Sequence, residues 1–595
     1  MRTLRVLALV LCAGFAALTV GCAIPEETAE VAPTTATPAD AATIPVEPTG
    51  APAEPTTEPA AALPLAVAYD LGDATIVQAN FPEDSRFRNM PIRLNGVIAA
   101  PAGAGPYPVV VILHGTHPGC PVDEMGVDRW PCDPADEQAN YSGFAYLASA
   151  LAARGYVALA PNINAENTFG FGEPVPGERL AQLLDLHLNA LKAATAGGEN
   201  AFGVELSGVA DVGRVALIGH SRGGEMASYL TRKYGLGTAE SAAERGYGPV
   251  AGLLLVAPAR ILQDSAGADV PLAVILPACD GDVVGQDGQT FYEAVRFQTN
   301  HTWATTVLLE GANHNGFNTI LGGDMIAHAG RPGCQSPLAP EEQRQFLVDY
   351  AGDFLTTLFG AEDEAAAAKA RLGLDLTQPA PGELFGRPAR INSLSASADR
   401  LRLFDPGDET ELMTNLQAGP TVAEGATLFF CPPGYTVEAE LAACRRPNFV
   451  NPANPAMAVI SWSGPAEVRF EMPAGQFALG RYTTLTLRAA LDPLSEQNAA
   501  GAPQSFSVRL TDGSGATASV VAGPGEPALQ YVTGEFTADE TFPPGLLDAV
   551  VYLATVRVPL ASFAGIDLSD VDEVALVFDQ TASGTLFLAD VAVER

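Results

Sequence analysis

The stretch Gly219-His220-Ser221-Arg222-Gly223-Gly224 holds the residues best suited to chemistry in this sequence. Gly-x-Ser-x-Gly alone is a weak pattern in a chain of 595 residues with 59 Gly, but its setting is specific. The apolar run Val215–Ile218 leads straight into it, and Glu225–Thr231 can start a helix directly after. A strand-to-helix turn that tight forces its central residue into a strained backbone region. Only Gly at the flanking positions leaves room for the crossing. Such a turn holds the Ser221 hydroxyl above a sheet, exposed to a substrate.

A serine hydroxyl is a poor nucleophile until a base takes its proton, and the base needs an orienting acid. Two later loops supply both. Leu272–Leu276 leads into Pro277-Ala278-Cys279-Asp280-Gly281-Asp282, and Thr306–Leu309 into Glu310-Gly311-Ala312-Asn313-His314-Asn315. Ser221, then Asp280 or Asp282, then His314 therefore stand in one chain order, each after an apolar run. Asp280 is the favoured acid and Asp282 the alternative. The negative charge formed on an attacked carbonyl needs two backbone N–H groups. Arg222 supplies one, and Thr116, after the run Val109–Leu113 and His114-Gly115, the other. Of the remaining histidines, His114 and His220 read as packing residues and His117 as a residue at the mouth of the site. His187 reads as exposed on a helix, while His301 and His328 have no motif around them. Phe169 and Phe171 are candidates for a pocket or lid.

Around these loops, short apolar runs alternate with helical stretches from residue 65 to 360. Ala74–Phe81, Ile92–Ala100, Val109–Leu113, Tyr156–Ala160, Val215–Ile218, Leu253–Val256, Leu272–Leu276 and Thr306–Leu309 read as strands. Glu178–Ala194 and Glu341–Leu358 read as amphipathic helices. The expectation is an α/β unit with a mostly parallel sheet and helices on both faces. Residues 361–384 read as a linker. From 385 to 595 alternating segments such as Thr483–Arg488 and Val574–Phe578, separated by turns, predict an all-β sandwich.

With the serine turn, the acid loop, Gly311-Ala312-Asn313-His314 and the His114-Gly115 strand end in place, residues 65–360 resemble an α/β-hydrolase of the esterase and lipase kind. The segments Cys279–Asp282 and Asn313–Thr319 are similar to a group of secreted bacterial hydrolases. The resemblance implies an acyl-enzyme mechanism on esters of small molecules, lipids or polymers, without a cofactor. Two other readings stay open: a serine peptidase or amidase, and an inactive surface glycan-binding protein on a hydrolase scaffold. Val556–Leu560, Phe563, Val571–Phe578 and Thr585–Val593, with Asp590, resemble the end of a carbohydrate-binding-like jelly roll. Trp462, Tyr482, Tyr531 and Tyr552 are the aromatic residues a glycan would stack on.

The N-terminus reads as an address. Residues 1–21 combine Arg2, Arg5 and an apolar run too short to span a bilayer. Leu18-Thr19-Val20-Gly21-Cys22 resembles a lipobox, which implies export and a lipid on Cys22. Residues 22–64, rich in Pro, Ala and Thr, read as a disordered tether. A net charge of −37 repels phosphate backbones and excludes nucleic acid as a partner. Six further cysteines suit disulfides in an exported chain. Short loop closure favours Cys120–Cys132 and Cys431–Cys444, leaving Cys279–Cys334. No Cys-x-x-Cys or His-x-x-x-His spacing points to a metal.

Overall fold

A computed structural model describes residues 64–595, apart from Met125, 263–268, 327–332, Tyr435, 438–443, 446–452, 474–476, Leu494 and 533–550. Residues 1–63, with Cys22 and the basic leader, lie outside the described residues, as does His328. Among the described residues no helix is long and apolar enough to cross a membrane.

The first unit runs β1 (Val67–Val77), β2 (Asn89–Ala99), β3 (Tyr107–Leu113), α1 (Ala145–Ala153), β4 (Val157–Pro161), α2 (Ala165–Phe169) and α3 (Pro176–Thr195). It continues through β5 (Ala210–His220), α4 (Arg222–Lys233), α5 (Ala239–Arg245), β6 (Val250–Val256) and β7 (Leu272–Pro277). It ends with α6 (Gln289–Arg296), β8 (Ala304–Leu309), α7 (Pro340–Phe359), α8 (Glu362–Arg371), β9 (Glu383–Leu384) and β10 (Arg387–Leu394). The central strands are β-branched or leucine-rich and buried on both faces, as in Val109–Leu113 and Leu253–Val256. On one face they pack Leu147 and Leu151 of α1 with Phe346 and Phe354 of α7. On the other they pack Leu184 and Leu188 of α3, Leu230 of α4 and Phe291 of α6.

The strand order corrects the expected mostly parallel sheet. Ten strands lie in the order β1-β2-β4-β3-β5-β6-β7-β8-β10-β9. Only the pairings from β4 to β8 are parallel. The flanks β1-β2-β4 and β8-β10-β9 are antiparallel, so the sheet is mixed. Apolar runs report burial, which parallel and antiparallel strands share, and not direction. Strand β10 comes from the stretch after residue 385 yet completes this first sheet, Ala389 opposite Leu309 and Leu394 opposite Ala304.

The second expectation, a two-sheet jelly-roll sandwich, is also corrected. The rest of the chain forms β11 (Arg400–Phe404), β12 (Thr421–Cys431), a small ladder of β13 (Thr436–Val437) with β14 (Cys444–Arg445), then β15 (Met457–Glu471), β16 (Thr484–Leu491), β17 (Phe506–Asp512), β18 (Thr517–Ala522), β19 (Ala554–Pro559), β20 (Val571–Phe578) and β21 (Ser583–Glu594). Apart from the small ladder these strands make one nine-stranded antiparallel sheet, curled until it is nearly closed. The 15-residue β15 explains the curl. Its first half pairs with β21 and its second half with β20, the change falling at Ser463–Ala466, where Gly464 sits at φ +124°. A period of two marks a strand with one buried face but does not say whether that face meets a second sheet or the same sheet curling back.

The two units share a buried joint. Asn392 of β10 donates to Thr306 Oγ1 at 2.9 Å and to Leu553 O at 3.1 Å. Arg488 of β16 donates to Glu293 Oε1 of α6 at 2.6 Å, and Arg296 of α6 pairs with Asp405. Burial alone would raise the Glu293 carboxyl, but Arg488 and Arg296 outweigh it and hold Glu293 at about 2.

Candidate active site

Strand β5 ends at His220, and α4 begins at Arg222. Ser221 alone makes the turn, at φ +56° and ψ −126°, where a non-glycine residue is strained. Two glycines make the crossing feasible. A Cβ on Gly219 would lie 2.3 Å from Gly223 O, and one on Gly223 would lie 2.4 Å from Leu113 O. Ser221 N–H donates to Val256 O at 2.9 Å, which ties the turn to the neighbouring strand.

Arg222 is the first residue of α4, so its N–H has no carbonyl one turn back within the helix and sits at the positive end of the dipole. The loop after β3 passes against Ser221: a Cβ on Gly115 would fall 2.8 Å from Ser221 Cβ. Thr116, next in the chain, is half-buried there. His114 is fixed as a support, with Nδ1 against Gly115 O at 2.7 Å and Nε2 accepting Ile163 N–H at 3.0 Å.

His314 and Asp280 meet. His314 Nδ1 donates to Asp280 Oδ2 at 2.9 Å, and both side chains are buried. Asp280 Oδ1 accepts the N–H groups of Asp282 at 3.0 Å and Val283 at 2.5 Å, which fixes the carboxylate plane. Asp282 faces elsewhere, accepting Asn315 Nδ2 at 3.1 Å and Met325 N–H at 2.7 Å. Burial pulls the His314 imidazole towards neutrality. The charge and hydrogen bond of Asp280, with Asp282 and Asp324 nearby, outweigh that pull and raise it above its ordinary value. His220 links Ser221 and His314: its Nε2 bonds His314 O at 2.9 Å, and the two rings lie 4.8 Å apart. Burial, then the neighbouring His314, hold His220 well below the usual imidazole range, so it is neutral and donates.

Sequence reasoning missed Asp324. Its carboxylate accepts three backbone N–H groups, from Gly281 and His314 at 2.8 Å and from Asn315 at 2.9 Å, and so joins the acid loop to the histidine loop. The only sequence signal is its place after Gly322-Gly323, a turn that precedes no motif. It also missed Glu225, one turn into α4. Burial pushes this carboxyl up to about 7 against the pull of Leu262 N–H and Arg222.

Other residues fall as follows. His187 is buried, not exposed: it lies on the inner face of α3, where Nδ1 meets the Tyr69 hydroxyl at 3.0 Å. Phe169 is buried, while Phe171 is 61 % exposed and packs edge-on against Phe81 and Phe87. Trp462, Tyr482 and Tyr552 are buried, and Trp462 stacks on Phe578 at 4.2 Å, so none of the three offers a face to a sugar. Tyr531 is half-buried and its hydroxyl donates to Pro493 O.

Cys120–Cys132 and Cys279–Cys334 are disulfides, consistent with an oxidising, extracytoplasmic compartment. The first closes the loop after Thr116, and the second ties the residue before Asp280 to the segment after His314. Cys431 is also disulfide-bonded, and the side chain of its expected partner Cys444 lies outside the described residues. No protein-family model matches this chain, and no curated protein sequence matches it.

Proposed function

We propose that this chain is an exported serine hydrolase that cleaves carboxylic esters. One observation carries the reading. Ser221 stands in a strained turn, and the residue before it bonds the backbone of the histidine whose Nδ1 bonds Asp280. In the reaction His314 Nε2 takes the Ser221 proton as Oγ attacks the ester carbonyl. Asp280 holds the imidazole in the tautomer that leaves Nε2 free and steadies the imidazolium. The N–H groups of Arg222 and Thr116 receive the oxyanion. Collapse breaks the ester C–O bond, and His314 gives its proton to the leaving alkoxide. Water then attacks the acyl-enzyme carbonyl, His314 taking a proton from it; the acyl C–Oγ bond breaks, His314 returns the proton to Ser221 Oγ, and the acid departs.

The substrate is an ester of a small molecule, a lipid or a polymer. A lipid on Cys22 tethers the enzyme at a membrane surface outside the cytoplasm. The test is hydrolysis of p-nitrophenyl esters from acetate to palmitate by the chain lacking residues 1–22, beside Ser221→Ala. Turnover that vanishes in the variant, with organophosphonate labelling of Ser221, supports the reading. Equal turnover in both proteins sinks it. Incorporation of labelled palmitate that is lost in Cys22→Ser checks the anchor.

A further inference from the structure

His117 stands beside the nucleophile with an uncommitted nitrogen. A Cβ built on Gly115 would lie 2.8 Å from Ser221 Cβ, 3.2 Å from His117 Nε2 and 3.3 Å from His220 Nδ1, so the Ser221 Cβ and two imidazoles flank one backbone position. His117 Nε2 is buried and has no hydrogen-bond partner. Buried polar atoms are nearly always paired, and one left open at a reactive centre marks a place that a ligand fills.

The backbone that carries the ring is held in place. Asn140 Nδ2 donates to His117 O at 3.4 Å, to Pro118 O at 3.3 Å and to Asn164 Oδ1 at 2.8 Å. Asn140 is itself fixed, its carbonyl accepting Asn318 Nδ2 at 2.9 Å. Three residues beyond His117, Cys120 is bonded to Cys132. The protonation state suits a donor. Burial and the field of His314 lower the imidazole to about 4 against the pull of Asp282, so His117 is neutral near pH 7 and keeps one N–H. A neutral donor does not repel His314 when that ring takes on charge.

We propose that His117 is a further catalytic residue: its Nε2–H donates a hydrogen bond to the substrate carbonyl oxygen as negative charge builds there, beside the N–H groups of Arg222 and Thr116. The proton stays on His117 throughout, and no bond at the imidazole breaks. The proposal rests on the serine-hydrolase reading above. It makes the oxyanion site a three-donor pocket, one donor being a side chain that mutation can remove.

The experiment compares wild type, Ser221→Ala, His117→Phe, His117→Gln and His117→Asn on p-nitrophenyl acetate, with circular dichroism to confirm folding. Losing one oxyanion donor lowers kcat about hundredfold while KM stays within about twofold. Gln, whose amide nitrogen reaches the Nε2 position, recovers kcat to within about tenfold of wild type; Asn, whose amide stops short, does not. A folded His117→Phe enzyme with kcat within about twofold of wild type overturns the proposal. Should His117→Phe not fold, equal kcat for the Gln and Asn variants overturns it. Failure of the parent reading has its own signature, a wild type whose turnover does not depend on Ser221 and which takes no phosphonate label.

Discussion

One oxygen of Asp324 accepts the backbone N–H of His314 at 2.8 Å and, at the same length, that of Gly281. A single carboxylate therefore sets the spacing between the loop that carries Asp280 and the loop that carries His314. Burial raises this carboxyl, and the three N–H donors only partly offset it.

Asp324→Ala removes that brace while leaving Ser221, Asp280 and His314 in the chain. Three backbone N–H groups lose their acceptor, each hydrogen bond to a charged group contributing about 1.5–3 kcal/mol. The expected outcome is a kcat at least about tenfold lower with a small change in KM, because misplacement of the base acts on the chemical step. Asp324→Asn keeps an acceptor oxygen and falls in between. Steady-state kinetics beside a thermal melt distinguish loss of geometry from loss of fold.

The pH profile follows from His314. In the proposed mechanism the imidazole works only when neutral, so kcat/KM is expected to rise with pH through a midpoint above the ordinary histidine value of 6.5. The stabilisation from the His314–Asp280 ion pair runs the other way. It is full below about pH 6.5, the unfolded value, and is lost as pH rises through the higher folded value. Asp280→Asn lowers the midpoint and cuts the plateau by about 10⁴-fold. A profile unchanged in that variant would remove Asp280 from the triad. The same substitution at Asp282, whose oxygens brace Asn315 and Met325 and whose charge raises His314 less than that of Asp280 does, lowers the midpoint by less.

Glu225 gives a second pH signature, in stability rather than rate. Its folded value near 7 exceeds the ordinary 4.5, so its contribution is full below pH 4.5 and is lost as pH rises to about 7. The loss is at most ~3 kcal/mol. Denaturant titrations of Glu225→Gln from pH 4.5 to 8 should lack that fall, and the variant should exceed wild type in stability at pH 8. A parallel decline in both proteins would assign the pH dependence to other groups.

Arg488 tests the joint between the units. Removing it leaves Glu293 and Asp590 buried with part of their countercharge gone. Breaking a buried pair from one side costs about 3–5 kcal/mol. Arg488→Met should lower the melting temperature and, because α6 follows the acid loop, lower kcat at temperatures where wild type is fully active. Replacing Arg488 and Glu293 together by apolar residues should recover much of the stability but need not recover the rate.

The legible parts of the molecule were those whose chemistry forces a local pattern. Gly219 and Gly223 are dictated by backbone contacts under 2.5 Å, so the serine turn shows in the sequence. Asp280 and Asp282 sit on one loop two residues apart, and only the folded chain shows which carboxylate faces His314 Nδ1. Asp324 acts on backbone N–H groups, which every residue has, so no partner type could betray it. His187 was misplaced because the apolar stripe of α3 is wide enough to take in a histidine whose partner, Tyr69, lies 118 residues away. Strand direction and sheet closure failed for the same reason: both are long-range relations, while hydrophobic period is local.

Strand β10 bears on how such a chain could have arisen. It completes the first sheet, yet its polypeptide leads directly into the second unit. A recombination joint at residue 360 would leave β8 with a bare row of N–H and C=O groups, an edge that recruits other chains. The first unit closes its sheet only with strands that the chain supplies after α8, so the boundary between the two sheets falls after Leu394 and not at residue 360.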